Sequence, residues 1–548
     1  MLSEVIPASL PRFEAWRGVV ALFGTVTLLL ASAPSTSAQG TSGRDASDPR
    51  AAPPPVSVPS DHWVYPLLDQ MAADGLLDGV WLPGRRPVDA RAVAAALDSA
   101  AARAGVARAE AGEAEAADGG AAEVGARSPW ARTASESRTW LTREYGGSEG
   151  GWLRALPLAR IRASDGPRTD PSAVILGADL RIRPTEDTGV WWEPVLETGS
   201  DGVELPVPRL GGAWRAGAFR LGASYEARRL GPGAGGGIVL HDRAELGWVE
   251  AGLAEPVILP WIFRYLGPFR ISAYGSRLGA DSIGPGAGFF AGDFAFQPHP
   301  RVTIGGHRSA VIVSEVDGER ITFGDVLNIL FDSGRTIPNF EDQKLSFGGS
   351  VRTDLFGLTV TPYFVWGIED TWELERDPGA ILGAWVPAIP TAVGPLGLRY
   401  EYTAFGDPGE NLWPWHGSWE WRNWYRHGSG RVLYVDNDGD LLGHPLGGYG
   451  TEHRLEASLP LPASGLLLSA TLFTRRRDAG IYTNPNDGST RPFSNILHDE
   501  MPGRSHGGTV AAVYSTPGLR IDGELGVEAG REGWDRVRAS VGGKWLAW

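Results

Sequence analysis

The sequence predicts an all-β fold: a transmembrane antiparallel β-barrel of about 16–18 strands, preceded by a small N-terminal periplasmic helical module. Three observations carry this reading. The first is the closing run Asp535–Trp548, where Val537, Ala539, Val541, Gly543 and Trp545 alternate with Arg536, Arg538, Ser540, Gly542 and Lys544. Strand side chains have a period of two, so the run has one apolar and one polar face. It ends on Trp548, and an aromatic at a chain end sits well at a membrane interface. Lys544 departs from the usual final pattern of such barrels, falling where an apolar residue is expected. The second observation is at the other end. Arg12 and Arg17 precede the apolar stretch Val19–Ala31 and the small residues Ser35, Thr36, Ser37 and Ala38, the order of a secretory signal peptide spanning residues 1–38. The third is that alternating segments fill roughly four hundred residues with no helical interlude strong enough to divide them.

Composition narrows the class. The chain of 548 residues has no cysteine, which rules out disulfides, thiol nucleophiles and thiolate metal sites. A net charge of -15 argues against nucleic acid or anionic lipid as a principal partner. Glycine at 75 and tryptophan at 22 suit a strand-rich barrel with aromatic girdles. No segment is long and apolar enough for a spanning helix.

Along the chain, residues 39–60 are polar and rich in proline (Pro53, Pro54, Pro55, Pro59) and read as an extended linker. The helical module is expected over 61–99. Leu67, Leu68, Met71, Ala72 and Leu76 recur at three- and four-residue spacing, Gly75 and Gly79 end the helix, and Pro87-Val88 start a second with Ala92, Val93, Ala96 and Leu97 on one face. Two such helices bury too little to stand alone, so they should pack on a larger body. Residues 100–136, rich in Ala, Gly and Glu, read as a tether or marginal helix, and 137–548 as the barrel. Within it Lys344–Asp354, Leu358–Trp366, Leu398–Ala404 and Leu519–Glu528 alternate most clearly. Aromatics crowd segment ends at Trp191-Trp192, Trp261, Phe263, Tyr265, Trp413, Trp415 and Trp424. Longer loops are expected near Gly231–Gly237, Asp332–Asp342, Asp407–Trp415 and Pro485–Arg504.

Motifs for chemistry are sparse. Asp436-Asn437-Asp438-Gly439-Asp440 has the acidity of a calcium loop but lacks the turn glycine and the closing glutamate, and reads as a tight turn. His416, His427, His444 and His453 gather near Glu452 and Asp436 without any metal-ligand spacing. G-x-S-x-G does not occur, so a barrel-embedded hydrolase ranks last. No catalytic residue, cofactor or metal is expected, and the chain reads as a non-enzyme.

Several segments resemble the Wzi family of capsule-assembly outer-membrane proteins. The resemblance rests on the helical start Leu67–Leu97, on Lys344-Leu345-Ser346-Phe347, Leu358–Tyr363, Glu369-Asp370, Ile381-Leu382-Gly383 and Leu398–Tyr402. It is closest at Asn423-Trp424-Tyr425-Arg426-His427 followed by Leu442-Gly443-His444-Pro445-Leu446-Gly447. It implies an 18-stranded barrel in the outer membrane with periplasmic helices. It also implies a lectin-like role in holding capsular or extracellular polysaccharide at the cell surface. Aromatics and arginine on outward loops stack on sugar rings and hydrogen-bond their hydroxyls, which makes Trp413, Trp415, Tyr425, Arg426, His427 and His444 the candidate polysaccharide-binding residues. Girdle or lumen-lining roles are the competing account of each. The other partners expected are outer-membrane lipid and the barrel-assembly machinery, with no nucleic acid, and the chain is expected to be a monomer.

A second reading stays beside it. Asp61-His62-Trp63, Leu68, Gly75-Leu76 and Gly79 also resemble an S-layer-homology motif. That would make the protein a wall-tethered porin whose lumen face (Arg520, Asp522, Glu524, Glu528) selects solutes. The two readings differ in one physical property: a polysaccharide anchor should have a filled lumen, a porin an aqueous one.

Overall fold

The structure is a computed structural model describing residues 53–77, 85–117, 129–146, 153–165, 172–199, 202–241, 245–278, 287–313, 341–369, 379–405, 450–461, 464–477, 503–516 and 518–546 apart from 532 and 534, with short pieces at 315–316, 319–322, 324–325, 424–425, 434, 441–447, 481–483 and 490–492. Among these residues eighteen strands close into an antiparallel barrel. They are β1 Leu153–Asp165, β2 Ala173–Thr185, β3 Thr188–Glu193 continued by Val195–Gly199, β4 Arg209–Ala216, β5 Phe219–Ala227 and β6 Glu245–Leu253. β7 Pro268–Arg277, β8 Gly288–His299, β9 Val302–Ile312, β10 Glu341–Val351, β11 Leu358–Glu369 and β12 Gly379–Pro390 follow. The last are β13 Pro395–Phe405, β14 Gly450–Leu461, β15 Leu466–Arg477, β16 Gly503–Ser515, β17 Leu519–Gly530 and β18 Asp535–Trp545. Pro194 interrupts β3 because it has no N–H to give the ladder. The barrel closes where β18 returns to β1, from Val537 opposite Asp165 to Lys544 opposite Leu158.

Closure leaves no edge strand, and the period of two then sorts side chains between lipid and lumen. On β18, Val541 is 58% exposed and Trp545 45%, whereas Lys544 between them is 6% exposed. The same alternation separates Trp192, facing out, from its neighbour Trp191, which is buried inside. Lys544 therefore stands on the lumen face, where a cation has protein partners.

The two rims differ. At the rim where β1 begins and β18 ends, connections are tight, as between β2 and β3 (186–187), β4 and β5 (217–218), β8 and β9 (300–301) and β12 and β13 (391–394). At the opposite rim they are long: 228–244, 313–340, 406–449 and 478–502. The exception at the tight-turn rim is 254–267, which holds the short helical turn Trp261–Leu266. Trp261, Ile262, Phe263 and Tyr265 on it are all exposed.

Three helices enter the tight-turn end: α1 Val64–Ala73, α2 Ala90–Ala117 and α3 Pro129–Tyr145. α1 buries Leu67, Leu68 and Met71 as its spacing predicts. It stops at Gly75, whose φ of +79° lets the Gly75 and Leu76 amides bond the Ala72 and Met71 carbonyls at 2.9 Å each. The second helix starts later than Pro87. Val88–Asp89 instead pairs with Ser57–Val58, and the Asp89 carboxylate caps α2 by accepting the Ala92 amide at 2.8 Å.

Three stretches differ from the sequence reading. Residues 53–60, read as part of an extended linker, are largely buried between the helices and the inner wall. The stretch 100–136, left open between a tether and a marginal helix, is helical to Ala117 and again from Pro129, and the first barrel strand begins at Leu153 instead of at 137. The reason is visible in α3. Trp130, Ala134, Ser137, Leu141 and Tyr145 are buried at spacings of four and three, an inward stripe interrupted by too many polar residues to stand out in the sequence. Residues 1–52, which include the signal-peptide segment, and the terminal Trp548 lie outside the described residues.

Candidate functional site

The lumen is where the sequence's polar strand faces converge, and it is filled from both ends. At the tight-turn end the anchor is Glu144, near the end of α3. Its carboxylate accepts hydrogen bonds from Arg520 of β17 at 2.8 and 2.9 Å and lies 3.4 Å from the Lys544 ammonium of β18. His62 Nδ1 takes the Val64 amide, which leaves the proton on Nε2, 3.0 Å from Glu144. Asp179 of β2 accepts from Lys544 and from the Arg181 Nε, each at 2.9 Å. The Arg181 guanidinium lies 3.6 Å from the centre of the Tyr145 ring.

Burial works against ionising Glu144, but Arg520, His62 and Lys544 outweigh it and hold its carboxyl well below the usual range. Burial also lowers His62 to about 4, only partly opposed by Glu144, so the imidazole is neutral at pH 7. The helices are thus fastened to the staves on either side of the barrel's closure. They are fastened elsewhere too: Gln70 of α1 donates to the Pro387 carbonyl at 2.6 Å and accepts from Ser458 of β14 at 2.7 Å, and Thr361 of β11 donates to the Ala73 carbonyl at 2.7 Å.

At the long-loop end, two connections fold inward. The Gly-rich segment 231–237, expected as part of a longer loop, lies inside the barrel, where the Ala234 and Gly235 amides bond the Glu401 carboxylate of β13 at 2.6 and 3.1 Å. Glu401 also accepts from Tyr363 at 2.6 Å, and Tyr363 accepts from Arg399 at 2.8 Å. Glycine is required at 237, since a Cβ there would fall onto the backbone carbonyl oxygens of Leu230 and Leu240. The second inward connection brings Trp424, Tyr425, Tyr434 and Leu441–Gly447 against the first. Tyr425 OH donates to the Ile238 carbonyl at 2.7 Å and accepts the His444 amide at 2.9 Å; Tyr434 OH donates to the Val239 carbonyl at 2.5 Å.

These rings form a bridge across the lumen. Trp248 of β6 meets Phe289 of β8 at 5.8 Å, Phe289 meets Tyr434 at 5.6 Å, Tyr434 meets Tyr425 at 5.5 Å, and Tyr425 meets Phe405 of β13 at 5.7 Å. All five are buried. The contacts are mostly edge-on or tilted, the arrangement aromatic quadrupoles favour.

The structure therefore puts Tyr425 and His444 together, both buried in the plug and joined by one hydrogen bond. Trp413, Trp415, Arg426 and His427 lie outside the described residues, as does the acidic turn at 436–440. His444 and His453 do not share a site: His453 faces outward from β14 beside Tyr400, while Glu452, one residue earlier, faces in. Burial pushes His444 well below the ordinary histidine value. Among the described residues no cluster of three or more histidine and carboxylate side chains is arranged to hold a metal. The Glu144 cluster was missed by sequence reasoning. Its one visible signal was Lys544, the residue that broke the final strand's expected pattern.

The sequence model of the family described as capsule assembly protein Wzi matches residues 211–478, the segment that runs from β4 beyond β15 and contains both inward connections. Comparison with curated protein sequences gives no match. Among solved structures the chain resembles Wzi of Escherichia coli, described as an outer-membrane protein involved in group 1 capsule assembly and a carbohydrate-binding β-barrel. Identity is 16% and the TM-score 0.63, over 89% of this chain and 98% of that one. OprD of Pseudomonas aeruginosa aligns more loosely, at 11% identity and a TM-score of 0.40 over 71% of this chain and 94% of that one. Over residues 211–478 this outer-membrane β-barrel is therefore similar to the Wzi family of capsule-assembly proteins, and it shares the barrel fold of Wzi along most of its length.

Proposed function

We propose that the protein holds exported capsular or extracellular polysaccharide at the cell surface, as a lectin-like barrel without enzymatic activity. The observation that carries this is the lumen closed at both ends: by helices locked through Glu144 at the tight-turn rim, and by the aromatic bridge at the long-loop rim. A solute channel needs a continuous aqueous path, and each closure is fastened to opposite walls by buried polar or ring contacts. In barrels of this kind tight turns face the periplasm and long loops the exterior, which puts the helices on the periplasmic side and the polysaccharide on the other.

Trp413, Trp415, Arg426 and His427 fall in the sequence between β13 and β14 and are kept as proposed polysaccharide-binding residues. Tyr425 and His444 hold their parts of that connection inside the plug. The wall-tethered porin has less to recommend it: His62 and Trp63, central to its binding motif, are buried within the helical plug and offer no face to a wall polymer.

The reading is tested by deleting the gene in the source cell and separating cell-bound from released polysaccharide. The expected outcome is undiminished synthesis with the polymer shifted into the medium. Unchanged cell-bound polymer would contradict it.

A further inference from the structure

One side of the lumen is not filled. A cavity of about 480 Å3 lies between the plug and the inner wall, its lining running from β17 and β18 through β1 to β6. Its depth is set by residues at the two rims. Arg162, Glu197 and Glu245 stand near the long-loop ends of their strands, while Arg520 and Lys544, near the tight-turn ends of β17 and β18, form the floor with the Glu144 cluster beneath. The volume falls within the range of about 300–1,000 Å3 usual for small-molecule sites.

The lining is charged, and its cations are paired with carboxylates of the lining or of the Glu144 cluster beneath it. It holds five cations (Arg160, Arg162, Arg209, Arg520, Lys544) and six carboxylates (Asp61, Glu193, Glu197, Glu226, Glu245, Asp522). Arg162 bonds Glu197 at 2.6 Å, Arg160 meets Asp522 at 3.5 Å, and Arg209 lies 3.5 Å from Glu193 and 3.6 Å from Glu226. The floor cations are held by Glu144 and Asp179. The pairs nearest the open space keep solvent contact, with the Arg160 side chain 43% exposed, Arg162 29% and Asp522 27%. A guanidinium has five donors and a carboxylate about four acceptor positions, so each pair presents spare donors and acceptors side by side. Leu158, Ile175, Val195, Pro206 and Pro208 add apolar surface, and no described lining residue is aromatic.

Resting on the polysaccharide reading above, we infer that this cavity is a binding site for an uncharged segment of the glycan, a short run of neutral sugars held by its hydroxyls. Vicinal hydroxyls each donate and accept, which adjacent guanidinium and carboxylate groups satisfy without breaking the ion pairs. An acidic sugar has to displace a carboxylate from its arginine and bring charge beside the other acids of the lining. Selection is therefore by hydrogen-bond pattern and against charge, with the apolar residues meeting the C–H faces of the rings.

The experiment uses the full detergent-purified protein on a glycan array carrying neutral and uronate- or sialate-containing oligosaccharides. Two variants are run beside it. Arg160→Ala with Asp522→Ala removes both halves of one ion pair and leaves no orphaned charge. Leu158→Trp fills the cavity and touches no charge. The heat-dependent gel shift of the barrel checks folding. Binding to neutral glycans by the wild type, lowered at least tenfold in both variants, is the expected result. Equal binding by well-folded variants overturns the assignment of the cavity and leaves the polysaccharide role standing; preference for acidic glycans overturns the charge argument; binding to no glycan overturns this inference together with the proposed function. Should neither variant fold, carbodiimide labelling of the wild type decides. Glu197 and Asp522 are expected to be shielded by the best neutral glycan from the array, and unaltered labelling contradicts the site.

Discussion

Arg520 and Lys544 lie directly opposite one another on β17 and β18, two cations side by side on the lumen face of the barrel's last hairpin. Like charges so placed repel, and the strand pair cannot relieve this itself. Glu144 relieves it from outside the sheet, bonding Arg520 at 2.8 Å and lying 3.4 Å from Lys544. The helical plug and the closing strands are thus electrostatically incomplete without each other.

Glu144→Gln should release the plug while leaving the barrel intact. Removing one side of a buried ion cluster costs about 3–5 kcal/mol, because the remaining charges stay buried without their counterpart. The expected outcome is rapid proteolysis of residues 53–146 in a barrel that still migrates as folded.

Acid should loosen the same contact, in a defined window. His62 titrates near 4 in the docked plug, with burial as the main cause, against an ordinary value of 6.5. The undocked state therefore takes up the proton first as pH falls. Docking is at full strength above about 6.5, weakens from there to about 4 by about 3 kcal/mol, and the His62 contribution is then exhausted. Glu144, held well below the usual carboxylate range, begins to add its own loss below 4.5. Hydrogen exchange of α1 and α3 across pH 7 to 4 is the measurement, with protection factors, corrected for the intrinsic pH dependence of amide exchange, expected to fall toward the acidic end.

Tyr425→Phe tests the upper closure. The hydroxyl serves two backbone partners, Ile238 and His444, and its loss leaves a buried carbonyl and a buried amide unmet, worth about 1–3 kcal/mol. Faster exchange in 230–241 and 441–447 is expected, with no change in the helices. Gly443→Val should do more, since a Cβ there falls on the Tyr425 ring itself.

The exposed turn Trp261–Leu266 should lie in the lipid interface. Trp261 is 84% exposed and Phe263 55%, next to outward-facing Ile258 and Ile271 of the same rim. Because the chain has no cysteine, Phe263→Cys accepts a single nitroxide label. Its accessibility to oxygen over a water-soluble relaxer should read as headgroup depth; a fully aqueous value would contradict this placement.

Strand alternation made the barrel legible because closure and lipid impose the same period on every stave, and Leu519–Glu528 falls inside the observed β17 almost end to end. α3 was not legible: its buried stripe mixes Ser137 and Glu144 with Trp130 and Leu141, and the polar members are inward only because the lumen supplies partners. The inward path of 231–237 was hidden for a similar reason. Glycines there read as an ordinary loop, and nothing local announces that Glu401, far along the chain, receives the Ala234 and Gly235 amides. Tyr425 and His444, candidate polysaccharide ligands with a lumen-lining role as the competing account, are buried among the rings of the plug.

The most direct test of a lumen closed at both ends is single-channel conductance of the refolded protein in a planar bilayer. A silent wild-type barrel is expected, with openings appearing only when Glu144→Gln and Tyr425→Phe are combined to free both closures. Steady nanosiemens-scale openings from the wild type would contradict it and return the protein to the channels.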